Sequence, residues 1–538
     1  MSDTRTLEHR PGYKTRWMGL VFIGISLLVI SLDNTILNVA LPSISNDLGA
    51  SASDLQWIVD AYVLVFAALL LTMGAVGDRI GRKRALQFGL VMFGLGSLWA
   101  ALANSTEMLI AARAFLGIGG ATIMPATLSI ISATFPDHER SQAIAIWAAI
   151  FGLGVGVGPV VGGLLLEHYE WNAVFYVNLP VVAVALLGGL FFLADSKDEH
   201  APKPDIPGVL LSIPGLFALV YGIIEAGQGA WTDPHVLLAF GVSAVLLGAF
   251  TWWESRSPNA MLPLHFFKNM SFTGANLAMT FIMFSLFGSI FFLSQYLQTV
   301  QGYSALEAGL RMVPLAATLA VVSALSARIT DRLGTKRTVA LGILVSGAGL
   351  LYMSQAYHAG SSYATVVVGE IILAAGMGFA VSPATNSIMG AVPISKAGIG
   401  SAMNDTTRQL GGALGVAVLG TVMNSRYLEG IAELKTALPQ LPADIYAGIS
   451  NSIQAAHMIA ANPKVPAQFG DTIRTTANDA FVAGMNEAML IGAAIMALNA
   501  VIVLLILPSR IRRSAEHELP ALGHAIAASG LETGSAAD

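Results

Sequence analysis

The stretch Gly74-Ala-Val-Gly-Asp78-Arg79-Ile-Gly81-Arg82-Lys83-Arg84 separates two long apolar runs, and a degenerate copy returns as Thr330-Asp331-Arg332-Leu-Gly334-Thr-Lys336-Arg337. Both stretches are short and basic, and apolar sequence flanks them on either side. Short loops with this charge stay on the cytoplasmic side of a membrane. A basic hairpin that occurs once in each half of the chain therefore indicates a membrane protein built from two related helix bundles.

The composition agrees with a chain that lies mostly in lipid. Hydrophobic residues make up 55% of the sequence and charged residues only 11%, and the mean hydropathy is +0.67. A soluble domain carries roughly 25% charged residues, so most of this surface must face lipid. The net charge of -5 says little about partners. The sequence contains no cysteine, which excludes disulfides, thiolate metal sites and cysteine nucleophiles.

A membrane-spanning helix needs about 20 mostly apolar residues. The sequence predicts fourteen such segments, at about 17–41, 55–76, 85–103, 106–134, 141–166, 172–193, 206–226, 235–253, 271–297, 306–327, 338–357, 362–390, 399–424 and 479–508. The first run is too long for the core of a signal peptide and lacks a cleavage pattern, so we expect it to be retained. The segments predict an all-α polytopic membrane protein without a soluble domain.

The distribution of basic residues predicts the orientation. If the N-terminal segment 1–16 is cytoplasmic, most of the 28 lysines and arginines fall in inner segments, and the short outer loops contain none. The large hydrophilic insert at 425–478 then lies outside, where long loops escape the charge rule. It contains several prolines, and we expect a partly helical, mobile cap. The tail 509–538 is expected to be cytoplasmic.

The two halves of the chain echo each other beyond the hairpins. Pro125-Ala-Thr127-Leu-Ser129-Ile130 pairs with Pro383-Ala-Thr385-Asn-Ser387-Ile388. We therefore expect two six-helix bundles, at 17–193 and 271–508, with two additional central helices at 206–253. Parallel halves of this kind place a binding site between them, near the bilayer midplane.

The hairpin itself allows two interpretations. Glycines let the ends of neighbouring helices approach closely, and Asp78 can accept hydrogen bonds from a helix N-terminus or pair with a basic residue. The hairpin is then either a topological anchor or a latch between the halves that opens and closes. The residues of the candidate latch are Gly74, Asp78, Arg79, Gly81, Arg82, Asp331 and Arg332.

Charged side chains inside the predicted spans are costly unless they face protein or water, and they usually mark ion or substrate pathways. Asp33 lies about 24 Å along the first helix at 1.5 Å per residue, in its outer half. Arg113 stands among apolar residues of the fourth helix, and Asp405 and Arg408 share a face of the thirteenth. Asp60 in the second helix is a further candidate. Structural ion pairs, including a self-paired Asp405–Arg408, are the alternative.

The fifth helix carries small residues at a regular spacing. Gly154, Gly158 and Gly162 recur every four residues and form a flat stripe for close helix contact. Pro159 cannot donate a hydrogen bond to the carbonyl of Val155, so it bends the helix there. Packing of small residues explains part of this pattern on its own.

Five stretches resemble motifs of the major facilitator superfamily, in matching order. The hairpin 74–84 resembles the loop between the second and third helices, and Arg113-Ala-Phe-Leu-Gly117-Ile-Gly119-Gly120-Ala121 resembles the fourth-helix motif, whose arginine is linked to proton transfer. The stretches 31–42 and 404–412 resemble helices one and thirteen of the fourteen-helix drug:proton antiporter family. The stretch 154–163 resembles the motif that separates antiporters from symporters.

The resemblance implies proton-coupled secondary efflux of amphipathic, often cationic drugs by alternating access. It implies a bacterial plasma membrane location, with small-molecule substrates, protons and the lipid bilayer as partners of a monomer. Proton coupling or substrate binding would fall to Asp33, Asp60, Arg113, Asp405 and Arg408. Lacking a nucleotide loop, metal-ligand spacing or basic-aromatic surface, the sequence predicts no cofactor, no metal and no nucleic acid partner.

Two alternatives to drug efflux remain open. The first is an exporter of a dedicated lipid, metabolite or siderophore, which would share the same fold. The second is a membrane-embedded enzyme or sensor. An enzyme would need polar clusters that converge at the membrane interface, and the sequence shows no such cluster.

Overall fold

The computed structural model describes residues 13–48, 50, 52–197, 205–226, 231–439, 441–463 and 465–509. All regular structure within these ranges is helical, and none of the described residues lies in a β-strand. Residues 1–12 of the expected N-terminal segment, and all but residue 509 of the expected tail, lie outside the described residues.

The long helices follow the predicted segments in order. They are α1 (Arg16–Leu48), α2 (Ala52–Ile80), α3 (Arg82–Ala101), α4 (Thr106–Thr134), α5 (Asp137–Leu166), α6 (Asn178–Phe192), α7 (Ile206–Glu225), α8 (Pro234–Glu254), α9 (Met270–Gln295), α10 (Ala305–Leu333), α11 (Thr335–Ala356), α12 (Tyr363–Gly390), α13 (Ala397–Ala432) and α14 (Ala467–Ile506). One helical turn, Ala173–Tyr176, precedes α6, and a π-helical turn, Tyr296–Val300, extends α9.

By length and composition, twelve helices in the described part of the chain qualify as candidate membrane spans. The two long helices that do not qualify are α3 and α13. The first begins with three consecutive basic residues, 82–84, and the second carries Asp405 and Arg408 in its interior. Apolarity alone therefore supports twelve spans, not the predicted fourteen.

Serine caps fix the start of several helices. Ser105 accepts a hydrogen bond from the amide of Met108 at the start of α4, and Ser362 does the same for Thr365 at the start of α12. Ser304 forms a full capping box with Glu307 at the start of α10. Each cap satisfies an amide that the helix itself leaves without a partner, which stabilises the helix start by about 1 kcal/mol.

The helices form two groups by packing. In the first helix group (α1–α6), α2 and α3 pack on α4, while α5 and α6 pack on α1. In the second helix group (α9–α14), α9 packs on α13, and α11 packs on α12 and α14. The groups meet where α5 runs along α10 and where α13 runs along α2 and α4. The arrangement places one helix-lined interface at the centre of the molecule.

The pair α7 and α8 packs together at the edge of this interface. Helix α7 contacts α2 and α13, and the Trp57 and Tyr221 rings stack with centroids 6.3 Å apart. Only 22% of the apolar stretch of α8 is buried inside the protein. Because the rest is apolar and exposed, α8 presents most of its surface to lipid.

The predicted insert at 425–478 is more helical than its polarity suggests. Helix α13 continues to Ala432 and α14 begins at Ala467, and between them lie the short helices Leu434–Ala437, Ala443–Asn451 and Ile453–Ala460. The last of these packs on α14, and the Tyr427 hydroxyl donates a hydrogen bond of 2.9 Å to the carbonyl of Ile449. The sequence-based bounds end each span where polar residues begin. In the structure the backbone hydrogen bonds of α13 and α14 continue beyond those bounds, through the polar outer turns.

Candidate functional site at the interface of the helix groups

Asp78 joins the two helix groups at the start of α13. Its carboxylate is 4% exposed and accepts hydrogen bonds from the Gly398 amide at 2.9 and 2.8 Å and from the Ile399 amide at 3.3 Å. These amides belong to the first turn of α13, where a helix carries partial positive charge. An acid from the first helix group thus caps a helix of the second.

Arg82 completes this contact, which we call the hairpin latch (Asp78 and Arg82 against the start of α13). Its Nε donates to Asp78 Oδ1 at 2.9 Å, and its Nη2 donates to the carbonyls of Ile394 at 2.5 Å and Ser395 at 3.2 Å. Arg82 is only 2% exposed. The latch therefore buries an ion pair whose hydrogen bonds reach across the interface.

Two glycines of the hairpin are required by geometry. A Cβ on Gly74 would overlap the carbonyl of Gly398 and the side chain of Ala402, so only glycine allows α2 and α13 to approach this closely. Gly81 has a φ of 116° and faces the carboxylate of Asp195. That backbone conformation strains any residue with a side chain.

The second copy of the hairpin is placed differently. Asp331 and Arg332 are exposed, and within the described residues no ion pair involves either of them. Arg79 is also exposed. Gly334 has a φ of 81° and begins α11, whose first amide, at Thr335, donates to the carbonyl of Ser509. The first hairpin, in contrast, bridges the helix groups through the hydrogen bonds of Asp78 and Arg82.

A buried polar cluster lies inside the first helix group. Asp33 is fully buried, and its Oδ2 accepts a hydrogen bond of 2.5 Å from Arg113 Nη1. Its Oδ1 accepts one of 2.8 Å from Asn178 Nδ2, which also donates to Ser97 Oγ at 3.2 Å. The cluster draws one residue each from α1, α3, α4 and α6. Both carboxylate oxygens are therefore engaged in hydrogen bonds.

Helix α2 supports the arginine of this cluster. Arg113 Nε donates to the carbonyl of Ile58 at 3.1 Å, and its Cζ lies 4.5 Å from the centroid of the Tyr62 ring. Tyr62 is almost fully buried. Asp60 lies between these two residues in the sequence and is half-buried. The structure thus brings Asp33 and Arg113 together.

Asp405 and Arg408 lie on α13 and are 1% and 3% exposed. Asp405 Oδ1 accepts a hydrogen bond of 3.1 Å from Asn404 Nδ2, whose Oδ1 accepts from Thr385 Oγ1 at 3.2 Å. Asp405 Oδ2 has no hydrogen-bond partner. No ion pair joins Asp405 to Arg408, although both are among the described residues. The self-paired arrangement is therefore absent from this conformation.

Arg408 instead lies against two aromatic rings of the other helix group. Its Cζ is 4.1 Å from the centroid of Phe151 and 5.1 Å from that of Trp147, both on α5. Trp147 is fully buried, and its Nε1 donates to Thr127 Oγ1 at 3.0 Å. This hydrogen bond fixes the indole, so the guanidinium occupies a preformed aromatic seat.

The glycine stripe of α5 faces α1. A Cβ on Gly154 would overlap Ser31, and one on Gly158 would overlap Thr35. A Cβ on Gly162 would approach Ile36. The opposite face of α5 meets α10, where Gly309 packs against Pro159. Helix α5 is therefore held on both sides, once within its own group and once across the interface.

Sequence reasoning missed several members of these clusters. Asn178 had a signal, because it stands as a lone amide near the start of an apolar run. Trp147 and Phe151 had none, since aromatic residues in an apolar helix are ordinary core residues. Their role depends on which helix faces α13, and that is a property of the tertiary fold.

The comparisons with known proteins agree with this geometry. The sequence profile of the Major Facilitator Superfamily matches residues 23–416. The chain is 30% identical over 520 residues, 96% of its own length and 96% of the relative's, to the tetracenomycin C resistance and export protein of Streptomyces glaucescens. It is 33% identical over 493 residues, 90% and 91% of the two lengths, to the multidrug resistance protein Stp of Mycobacterium tuberculosis.

The fold is similar to a solved structure of the proton:xylose symporter XylE, with a TM-score of 0.60 over 95% of this chain and 99% of that one. At 14% identity this likeness extends to the fold alone. The family profile covers both helix groups from α1 into α13, and the candidate spans make the chain a multi-pass membrane protein. The chain belongs to the Major Facilitator Superfamily.

Proposed function

We propose that the chain exports amphipathic, often cationic compounds across a bacterial plasma membrane in exchange for protons. The observation that carries this proposal is the fully buried Asp33, which is held by Arg113 and Asn178 inside the first helix group. Ionisable clusters inside a membrane bundle usually serve ion or substrate pathways. The names of two relatives, a tetracenomycin C export protein and a multidrug resistance protein, support export of drugs.

Proton coupling would proceed through the Asp33–Arg113 ion pair. A proton that reaches Asp33 removes its negative charge and weakens its attraction for Arg113. The arginine is then free to take a different partner, so the packing of α1 against α4 depends on the protonation state. A cationic substrate that competes for the same carboxylate would be excluded while the proton is bound.

The hairpin latch would supply the conformational step. In this structure Asp78 and Arg82 close the interface at the start of α13. Opening on that side requires the carboxylate to leave the α13 amides. Proton and substrate binding would shift the balance between the latched and unlatched states, which is the requirement for alternating access.

We also propose that α3 and α13 cross the membrane, which makes fourteen spans. Helix α3 packs along α4, and α13 packs along α9 and α14, and all three of these partners are candidate spans. The positive charge at 82–84 then lies on the cytoplasmic side, with both termini. The two bundles would comprise residues 17–193 and 271–508, with the linker helices at 206–253. The insert 425–478 would lie outside the cell, and the working unit would be a monomer.

Transport of a dye panel by the purified chain in proteoliposomes tests this function. An imposed pH gradient should drive uphill accumulation of cationic dyes, and a protonophore added to the same vesicles should abolish it. Protein-free vesicles under the same gradient report passive partition of each dye. Equal accumulation with and without the gradient would rule out proton-driven transport.

A dedicated exporter is the second candidate, because one relative is named for a single compound, tetracenomycin C. The same dye panel separates the two functions. A drug exporter should move several dyes of unrelated structure, whereas a dedicated exporter should move none of them and still respond to its one substrate.

A further inference from the structure

Arg408 is a buried cation with unused hydrogen-bond donors. It is 3% exposed, and neither its Nη1 nor its Nη2 has a hydrogen-bond partner. An arginine remains charged in proteins and carries five N–H donors in a planar fork. Burial of such a group without an anionic partner costs free energy. An anionic ligand that binds only during part of the transport cycle would supply the missing partner.

Within the described residues, no carboxylate forms an ion pair with Arg408 in this conformation. Asp405, three residues earlier on the same helix, forms no ion pair with Arg408 and directs Oδ1 to Asn404 instead. The immediate surroundings of the guanidinium are the rings of Phe151 and Trp147. Aromatic faces attract a cation, but they do not accept the in-plane hydrogen bonds of its two Nη groups.

The position of Arg408 is that of a binding residue. It belongs to α13 of the second helix group, while the rings that seat it belong to α5 of the first. The unused donors therefore lie at the interface between the groups, where parallel bundles of this kind bind their substrates. Any motion of one group against the other alters this seat.

We propose that Arg408 is an anion subsite for aromatic substrates that carry a carboxylate. A carboxylate matches the planar fork of a guanidinium with two parallel hydrogen bonds, and the rings of Trp147 and Phe151 offer stacking surface beside it. The proposal rests on the proposed export function and sharpens its substrate class. Zwitterionic aromatic compounds, and not only cations, are substrates of this site.

Rhodamine B and its ethyl ester form a matched probe pair, because they share the cationic ring system and differ in the free carboxylate. Binding of each dye to the purified full chain in lipid nanodiscs gives two Kd values. We expect the carboxylate dye to bind about tenfold more tightly than the ester, as a charge-assisted bidentate pair allows. Equal Kd values for the wild-type chain would overturn the proposal without any mutant.

Three variants locate the effect. Arg408→Gln should reduce the ratio of the two Kd values about tenfold, to near unity, and Arg408→Lys, which keeps the charge but loses the fork, should give an intermediate ratio. Arg311→Gln is the control, since Arg311 also stacks on an aromatic ring, 3.5 Å from the Tyr303 centroid, but donates to the carbonyl of Glu307. It should keep the wild-type ratio.

The outcomes separate this proposal from the export function. If Arg408→Gln does not fold, the wild-type ratio and the Arg408→Lys ratio still decide the matter. A wild-type preference that survives in Arg408→Lys and Arg408→Gln alike would place the carboxylate elsewhere and overturn the subsite. Gradient-driven transport of the ester by the wild-type chain tests export separately, because the ester lacks the group that Arg408 would bind.

Discussion

Asp33 shows at the scale of single residues what a sequence can and cannot reveal. An acid and an arginine inside two different apolar runs were recognisable as costly and therefore purposeful. Their pairing was not recognisable, because the ion pair joins α1 to α4 across 80 positions of sequence. Asn178, which holds the other carboxylate oxygen, is a common polar residue whose importance appears only once α6 is placed beside α1.

The substitution Asp33→Asn should leave a folded protein that no longer couples export to protons. The amide keeps the volume and one oxygen acceptor for Arg113, but it cannot take up and release a proton. We expect substrate-induced proton movement in proteoliposomes to fall to the level of protein-free vesicles.

The matched control for this substitution is Asp233→Asn. Asp233 caps α8 by accepting a hydrogen bond from the amide of His235, and asparagine caps a helix equally well. Wild-type proton movement is expected in this control. Full proton-driven transport of both cationic and neutral dyes by Asp33→Asn would remove Asp33 from the coupling mechanism and turn attention to Asp60 or Asp405.

For helix contacts, too, the sequence reveals the local spacing of small residues, whereas the identity of the contacting helix depends on the tertiary fold. The spacing of Gly154, Gly158 and Gly162 predicted a close contact on one face of α5, and the structure identifies α1 as the partner. The face directed at α10 carries glycines as well, since Gly156 lies against Ala316 and Gly163 against Leu306. Periodicity reports that a face is flat, but it does not identify the neighbouring helix.

The substitution Gly158→Ala should disturb the contact between α1 and α5. The added Cβ would overlap the Thr35 side chain, so we expect a loss of roughly 1–3 kcal/mol of stability from overpacking and a marked loss of transport. Gly241→Ala in α8 is the matched control, because no atom lies within 4 Å of its added Cβ. Thermal unfolding followed by tryptophan fluorescence measures both variants, and equal midpoints would show that α1 tolerates the methyl group.

The hairpin latch gives a prediction for a pair of elements, α2 and α13. Asp78→Asn keeps one hydrogen-bond acceptor but removes the charge that faces the α13 amides and Arg82. The latched state should therefore lose about 1–2 kcal/mol of stability relative to the unlatched state. This loss lowers the population ratio of the two states by a factor of roughly 5 to 30. A reporter is available between the same two helix groups, because Ser141 Oγ on α5 accepts a hydrogen bond of 2.9 Å from Asn386 Nδ2 on α12. Ser141 is only partly exposed, so in a chain with no natural cysteine we expect Ser141→Cys to react faster with maleimide when the groups separate there.

We expect Ser141→Cys to react faster when combined with Asp78→Asn. The corresponding change in the second hairpin, Asp331→Asn, should leave the rate unchanged, since Asp331 is exposed whereas Asp78 is buried. Equal rates in all three proteins would show that the hairpin serves only as an anchor.

For the whole molecule, the order of helices was predictable from apolar runs, while the ends of the last two were not. Helices α13 and α14 contain 36 and 40 residues, about 54 and 60 Å at 1.5 Å per residue, against a hydrocarbon core of about 30 Å. Their outer turns are polar, so hydropathy assigned them to a loop. They remain helical because they pack against each other and against the short helices of the insert.

Cysteine labelling tests the orientation of the whole chain. Met458→Cys, at a side chain that is 69% exposed in the insert, should react with a membrane-impermeant maleimide in intact cells. Ser509→Cys, at the end of α14, should react only after the membrane is permeabilised. Reaction of both positions under the same condition would contradict the fourteen-span arrangement, because in it one crossing, α14, separates the insert from the tail.

The insert also provides a way to watch the protein work. Its helix Ile453–Ala460 packs on α14 and reaches α9, where Gln454 Nε2 donates to Gln295 Oε1 at 3.1 Å. Because it packs on the second helix group, we expect it to move with that group when the two groups reorient. A fluorophore placed on this helix should then report such a reorientation as a change in distance from the loop before α4.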